Sequence, residues 1–257
     1  MRSHRKSRRL VMAAALILAA VPAAAQWLKQ PTAAVPRRSD GSADLSAPAP
    51  TLPDGRIDIS GLWMPNPTYI GNIARDLPSV PFQPWSETLY KHRRETESKD
   101  DPTGKCVVGG VPRSDAVPYP FKIFTQPTTT VILYEAVHSY RQIFTDGRAL
   151  PADPNPAWFG YSIGTWNGPE FVVTTTGFND DVWLDNFGHP AKGTLRVTER
   201  FRRRDFGHMD VAITIDDPAT YTAPWTITLP LTLMPDTELL EYMCNENNRD
   251  LEHLVGK

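Results

Sequence analysis

The feature that most constrains the fold is a series of short β-branched and aromatic runs that begins after Tyr119. Turn-forming residues separate the runs, which is typical of antiparallel strands that close into a barrel or a sandwich. Asn167-Gly168 between two alternating runs predicts a tight hairpin, and Asp146-Gly147 ends another run. With a first strand at Gly61-Leu62-Trp63, we expect about eight to ten strands in one mainly β barrel over 57–257. The predicted strands cover 121–126, 129–135, 138–145, 158–166, 170–177, 194–203, 208–215, 225–233 and 238–244.

The first 25 residues contain the three parts of a secretory signal. Basic residues extend to Arg9, an apolar stretch covers 10–21, and Ala23-Ala24-Ala25 precedes Gln26. We therefore expect export to the periplasm or beyond, with cleavage near Ala25. Ser7-Arg8-Arg9 approaches a twin-arginine signal, but Val11 occupies the usual Phe position, so the general route stays open. The apolar stretch is shorter than the roughly 20 residues of a spanning helix, so an uncleaved anchor is the less favoured alternative and no integral membrane segment is expected.

Removal of this signal makes the chain acidic. Its five charges are all basic, which leaves 22 Lys and Arg against 29 Asp and Glu in the rest of the chain. This balance argues against nucleic acid as a partner. The basic run 200–204 is flanked by Glu199 and Asp205, so we interpret it as an ion-paired strand surface.

The segment before the strands is poor in apolar residues and rich in proline. Residues 26–56 cannot bury enough surface to offset the entropy of ordering, so we predict a flexible tether. Proline-rich structure that wraps the barrel is expected to follow it. One peripheral helix is predicted after this, with Ser86 as its cap and with Trp85 and Leu89 packed inward. Cys106 and Cys244 predict one disulfide in an oxidising compartment.

Two parts of the predicted strand region suggest acid–base chemistry: Glu199, and the cluster 135–141, which turns between two predicted strands. Alternation places Glu199 on the same, inward face as Leu195, Val197 and Phe201, where a carboxylate needs a partner or a function. The alternatives are a raised pKa suited to proton transfer and a buried ion pair with Arg141. His138 is the best candidate for a general base, and its alternative is a simple pair with Glu135 across the hairpin turn.

The loop 178–190 mixes carboxylates, amides, aromatic residues and a histidine at the expected barrel mouth. Asp181, Asp185 and His189 are the alternative ligands for a divalent metal, although Asp is also a common turn residue. Tyr161, Trp158, Phe159 and Trp166 are candidates for an aromatic pocket or for ordinary core packing. Since the sequence has no nucleotide-binding glycine loop, nucleophile elbow or haem motif, we expect no cofactor.

Four short segments of the sequence resemble segments of other proteins. They are Asp58-Ile59-Ser60-Gly61-Leu62-Trp63, Tyr119-Pro120-Phe121-Lys122-Ile123, 141–148 (RQIFTDGR) and Val197-Thr198-Glu199-Arg200-Phe201. In these strings the chain resembles a large group of exported bacterial proteins to which we attach no activity. The resemblance implies secretion and a shared fold. The Gly61-x-Trp63 start also resembles that of lipocalin-like barrels, although the proline-rich insertion that follows departs from their pattern.

These observations lead to one leading hypothesis and two alternatives. The leading hypothesis is a cofactor-free enzyme of isomerase, lyase or cyclase type that acts on a partly apolar organic substrate. His138 or Glu199 would abstract a proton, Arg141 and Tyr161 would stabilise negative charge, and Asp181 or Asp185 would orient the partner group. The alternatives are a carrier of a small hydrophobic ligand and a metal-dependent hydrolase built on Asp181, Asp185 and His189.

Overall fold

Nine strands close into a single barrel in the computed structural model, which describes residues 30–246. The mainly β class predicted from the sequence is therefore confirmed. The predicted signal segment and its cleavage site lie outside the described residues. The strands are β1 (Gly61–Pro65), β2 (Phe121–Thr125), β3 (Thr129–Tyr134), β4 (Ser139–Phe144), β5 (Tyr161–Asn167), β6 (Glu170–Thr176), β7 (Arg196–Arg203), β8 (His208–Asp216) and β9 (Trp225–Leu233).

Each strand pairs with its neighbour in sequence, and β1 pairs with β9 to close the barrel. All pairs are antiparallel except β4 and β5, which pair in parallel through Ile143↔Ser162 and Phe144↔Ile163. The hairpin predicted at Asn167-Gly168 joins β5 to β6, with Gly168 at φ 58°. We call the end that carries the 135–138 turn the upper end and the end that carries the 126–128 turn the lower end.

The predicted strand 238–244 is wrong, because this segment has no ladder partner. Its backbone N–H groups bond to side chains instead: Leu240 donates to Glu135 Oε2 at 2.8 Å, and Tyr242 donates to His138 Nε2 at 3.1 Å. Cys244 forms the predicted disulfide with Cys106, with 5.8 Å between their Cα atoms. The segment is therefore fastened to the upper end of the barrel.

Two helices accompany the strands, α1 (Pro84–Glu95) and α2 (Arg113–Ala116). The predicted helix is α1, but its start and inward face differ from the prediction. Gln83 occupies the N-cap position, and Ser86 instead donates its hydroxyl to Thr220 O at 2.6 Å. Trp85 is 41% exposed because its indole lies along the surface and bonds to Ala219 O. All four residues of α2, which was not predicted, are buried.

The core fills the interior of the barrel, where alternate residues of each strand point inward. In β7 the buried residues are Val197, Glu199, Phe201 and Arg203, which agrees with the predicted alternation. Trp63 is completely buried, and its indole N–H donates to Ile59 O at 3.0 Å. Among the described residues, no helix is long and apolar enough to cross a membrane.

Residues 30–56 of the predicted tether contain no helix or strand but lie against the barrel. Leu45 and Ala47 accept hydrogen bonds from the backbone of Gly207 (2.8 Å) and Phe206 (2.7 Å). Leu45 also lies so close to Gly207 that a Cβ there would meet the Leu45 Cβ at 2.4 Å. Leu45 and Ala47 are thus positioned at the turn between β7 and β8.

Candidate functional site

A network of ionised and hydroxyl side chains lies inside the barrel near its upper end. Arg141 of β4 forms a bidentate ion pair with Glu199 of β7, with Nη1–Oε1 at 2.9 Å and Nη2–Oε2 at 2.5 Å. Arg141 also donates to Ser162 Oγ at 3.1 Å and to Thr175 Oγ1 at 2.7 Å. Of the two alternatives for Glu199, the buried ion pair is the one that the structure contains.

The environment of Arg141 favours its charged form. Arg141 is 2% exposed and Glu199 is fully buried. Burial alone would lower the pKa of Arg141, but the carboxylate of Glu199 overcomes this and raises it. Since both oxygens of Glu199 accept from the guanidinium, this carboxylate is positioned as a structural counter-ion rather than as a free base.

A second acid, Asp115 of α2, extends the network. Tyr134 donates its hydroxyl to Asp115 Oδ1 at 2.7 Å, while Asp115 Oδ2 has no partner among the described residues. Burial, followed by the nearby charge of Glu199, raises the pKa of Asp115 well above its usual range. A proton on Oδ2 would turn that oxygen into a donor towards Glu199. Asp115 therefore favours its protonated form more than an ordinary carboxyl group does.

Replacing Asp115 with Asn is expected to stabilise the protein increasingly as the pH rises. The folded pKa of Asp115 is raised, so wild-type stability falls as the pH rises from the unfolded pKa of about 3.9 towards the folded value. Asparagine does not titrate and lacks this loss. The Tm of Asp115→Asn should match that of the wild type near pH 4 and exceed it at pH 8. Each kcal/mol of unfolding free energy that the wild type loses through Asp115 between these pH values corresponds to about 2–4 °C.

Thermal unfolding at pH 4, 6 and 8 checks this expectation. The exposed Asp181 supplies the matched control, because Asp181→Asn makes the same substitution outside the buried network. A difference between Asp115→Asn and wild type that stays constant with pH would show that folding does not raise the pKa of Asp115.

The structure does not bring His138 to Glu199. His138 is exposed on the outer side of the 135–138 turn, and its Nε2 accepts the Tyr242 N–H. Glu135 accepts the Leu240 N–H, so the alternative of a Glu135–His138 pair is not the arrangement found either. Both side chains hold the C-terminal segment against the barrel.

Tyr161 also lies away from the Arg141 guanidinium. Its hydroxyl accepts from Arg148 Nη1 at 3.1 Å, and its ring stacks on Phe144 with 5.2 Å between centroids. The neighbouring Ser162 is the residue of β5 that points inward to Arg141. The expected role of Tyr161 in stabilising charge beside Arg141 has no support in this geometry.

The acidic residues of the loop 178–190 are separated as well. Asp181 is exposed, and its backbone N–H donates to Asn179 Oδ1. Asp185, in contrast, is 1% exposed. Asp185 accepts the His189 Nδ1–H at 2.6 Å and the backbone N–H groups of Ile73, Gly188 and His189. Four donors satisfy this carboxylate, which anchors the loop. Within residues 30–246, no three His, Cys, Asp or Glu side chains are grouped closely enough to hold a metal ion.

A cleft of about 260 Å³ lies at the upper end, between α2 and the fastened C-terminal segment. We call it the upper cleft. Its apolar and aromatic walls include Ile70, Val117, Tyr119, Val137 and Tyr242, and its polar lining includes Thr103, Arg113, Ser114 and Asn186. The rings of Tyr119 and Tyr242 are 5.1 Å apart, and Cys244 completes the wall.

Arg113 provides the main charge at the upper cleft. Its guanidinium pairs with both carboxylate oxygens of Asp101, at 2.8 and 2.5 Å, and also donates to Asn186 Oδ1 at 2.6 Å. The side chain is buried, and its Nε–H has no partner in the described part of the chain. The cleft therefore offers a compensated charge.

Sequence reasoning did not find the residues of this cleft. Arg113-Ser114-Asp115 follows Gly109-Gly110 and a proline in a region without strand or helix periodicity, where a polar triplet normally indicates a surface loop. The one available signal was the disulfide, which predicts that the C-terminal segment lies near residue 106. In comparisons with protein-family models, with curated proteins and with solved structures, the chain has no match.

Proposed function

We propose that this chain is an exported protein that binds a small, neutral, partly apolar organic molecule in the upper cleft. The composition of the cleft carries the proposal: two tyrosine rings and aliphatic walls surround a few polar groups, as in most ligand sites. The volume of 260 Å³ lies just below the usual range of pockets for drug-sized molecules, so the ligand is small. Export is supported by the composition of the leader and by the disulfide.

The charges around the cleft favour a neutral ligand. Asp101 already compensates Arg113, so a bound anion or cation would be left without a counter-charge in a partly buried site. The Ser114 hydroxyl, which lines the cleft, favours a ligand that offers a carbonyl or hydroxyl oxygen. A ketone, lactone or phenol with an apolar body meets both conditions.

The test is binding of small phenols, cyclic ketones and lactones, measured by thermal shift and calorimetry on wild type and on a variant with a filled cleft. Val117→Trp places an indole in the cleft and should weaken binding at least tenfold, about 1.4 kcal/mol. Val131→Trp makes the same change on half-buried β3 outside the cleft and should bind like wild type. Equal affinity of the two variants, or no binding by wild type, would refute the proposal.

A second candidate function is proton transfer of isomerase or lyase type, with Asp115 as the acid. Its support is that burial raises the pKa of Asp115, which directly follows Ser114, a residue that lines the cleft. Since Asp115 is 1% exposed, this function requires α2 to shift when substrate binds. Chemical conversion of a bound compound by wild type but not by Asp115→Asn would identify the enzyme, and unchanged compound with both proteins would identify a carrier.

A further inference from the structure

The lower end of the barrel contains a second and larger cleft, of about 380 Å³. We call it the lower cleft. It lies between the turn that joins β2 to β3, the end of β5 and the segment 51–57, which we call the strap. Its lining contains Leu52, Pro53, Asp54, Arg56, Thr125, Gln126, Pro127, Thr130, Thr145 and Trp166. Mouths of β-barrels are among the commonest places for ligands.

Three polar side chains at the lower cleft have no hydrogen bond within the part of the chain that the structure describes. They are the Thr130 hydroxyl, the Gln126 carboxamide and the Trp166 indole N–H. Thr130 is only 2% exposed, so its hydroxyl lies deep in the cleft. Together these groups provide hydrogen-bond donors and acceptors that no group within residues 30–246 uses.

The strap brings a compensated pair of charges to the same cleft. Thr51 bridges to Ile57, and Gly55 turns the strap at φ 85°, a conformation that favours glycine. Within the turn, Arg56 donates to Asp54 Oδ2 from Nε at 2.8 Å and from Nη2 at 2.5 Å. The Arg56 guanidinium lies over the Trp166 ring, 5.5 Å from its centroid.

We propose that the lower cleft binds a neutral sugar ring. A sugar carries many hydroxyl groups, each of which both donates and accepts, and has an apolar C–H face that suits an indole. The lining offers this combination: Trp166 for the C–H face, Thr130 and Gln126 for hydroxyls, and the Asp54–Arg56 pair as acceptor and donor. The opposite charges of the pair cancel, so an ionic ligand gains nothing there.

This site is independent of the proposed function. The upper cleft lies at the other end of the barrel, has tyrosine and aliphatic walls, and shares no lining residue with the lower cleft. A sugar that binds at the lower cleft is therefore unaffected by Val117→Trp, and a phenol that binds at the upper cleft is unaffected by changes at Thr130.

The test uses the full exported chain, with glucose, N-acetylglucosamine, maltotriose, cellotriose and chitotriose as probes. Binding is measured by calorimetry and by saturation-transfer NMR. The variant Thr130→Val/Gln126→Leu removes two of the unused polar groups while retaining the size of the side chains. We expect at least one sugar to bind wild type, and the double variant to bind it at least tenfold more weakly.

The matched control is Thr228→Val/Gln142→Leu, which makes the same changes at exposed positions of β9 and β4 and should bind like wild type. Unchanged thermal unfolding of the double variant verifies its fold. Absence of binding by all five sugars, equal binding by the double variant, or loss of sugar binding in Val117→Trp would each overturn the proposal.

Discussion

Replacing Glu199 with Ala is expected to lower the free energy of unfolding by about 3–5 kcal/mol, because it leaves a buried arginine without its counter-charge. Arg141 is 2% exposed, and Glu199 accepts two of its hydrogen bonds. Ser162 and Thr175 cannot replace a carboxylate, since hydroxyls carry no charge. Urea unfolding at pH 7 measures the loss.

Two further variants separate this effect from simple loss of a side chain. Glu170→Ala breaks a partly exposed ion pair with Arg200, whose charged atoms are 3.6 Å apart, and should cost less than about 1 kcal/mol. Arg141→Met/Glu199→Leu replaces the buried pair with apolar groups and should recover most of the stability lost in Glu199→Ala. If Glu199→Ala costs no more than Glu170→Ala, Arg141 finds another partner and the ion pair is not essential.

The second large effect is expected from removal of the disulfide. Cys106 and Cys244 enclose a loop with a sequence separation of 138 residues, so Cys106→Ser/Cys244→Ser should lower the free energy of unfolding by about 2–5 kcal/mol. The change also releases the wall that carries Tyr242 and Cys244, so ligand affinity at the upper cleft should fall with it. Urea unfolding and ligand titration of the double variant measure the two effects.

Reductant provides the control for this experiment. It should destabilise wild type by a similar amount and leave the double serine variant unchanged. Stability that is the same in oxidised, reduced and serine forms would mean that Glu135 and His138 alone hold the C-terminal segment in place.

The barrel could be predicted because a strand buried on one face leaves a period of two in the sequence. The alternation in β7 placed Glu199 inward, and the Asn167-Gly168 turn set one hairpin correctly. The segment 238–244 has a composition that suits a strand, but its backbone N–H groups bond to the side chains of Glu135 and His138. The structure of such a segment depends on tertiary contacts, which the periodicity of the sequence does not reveal.

The candidate site could be predicted only in part. Arg141 and Glu199 were identified because each lies within a strand, where the face of a side chain follows from its position. His138 lies in a turn with positive φ at 41°, so strand alternation does not give its direction, and it faces solvent. Asp115 meets Tyr134 and Glu199 through long-range packing of a four-residue helix, for which the sequence has no local signal.

The odd number of strands gives the buried ion network a second structural role. A closed ring of nine strands cannot have every neighbour antiparallel, so the direction of the chain must repeat once around the ring, and it does so between β4 and β5. Backbone pairing there extends over two residue pairs, compared with seven between β5 and β6. Arg141 reaches from β4 across this seam to Ser162, Thr175 and Glu199 on the next three strands. The guanidinium thus links β4 to these three strands through side-chain hydrogen bonds. It does so at the place where the odd number of strands leaves the shortest backbone pairing.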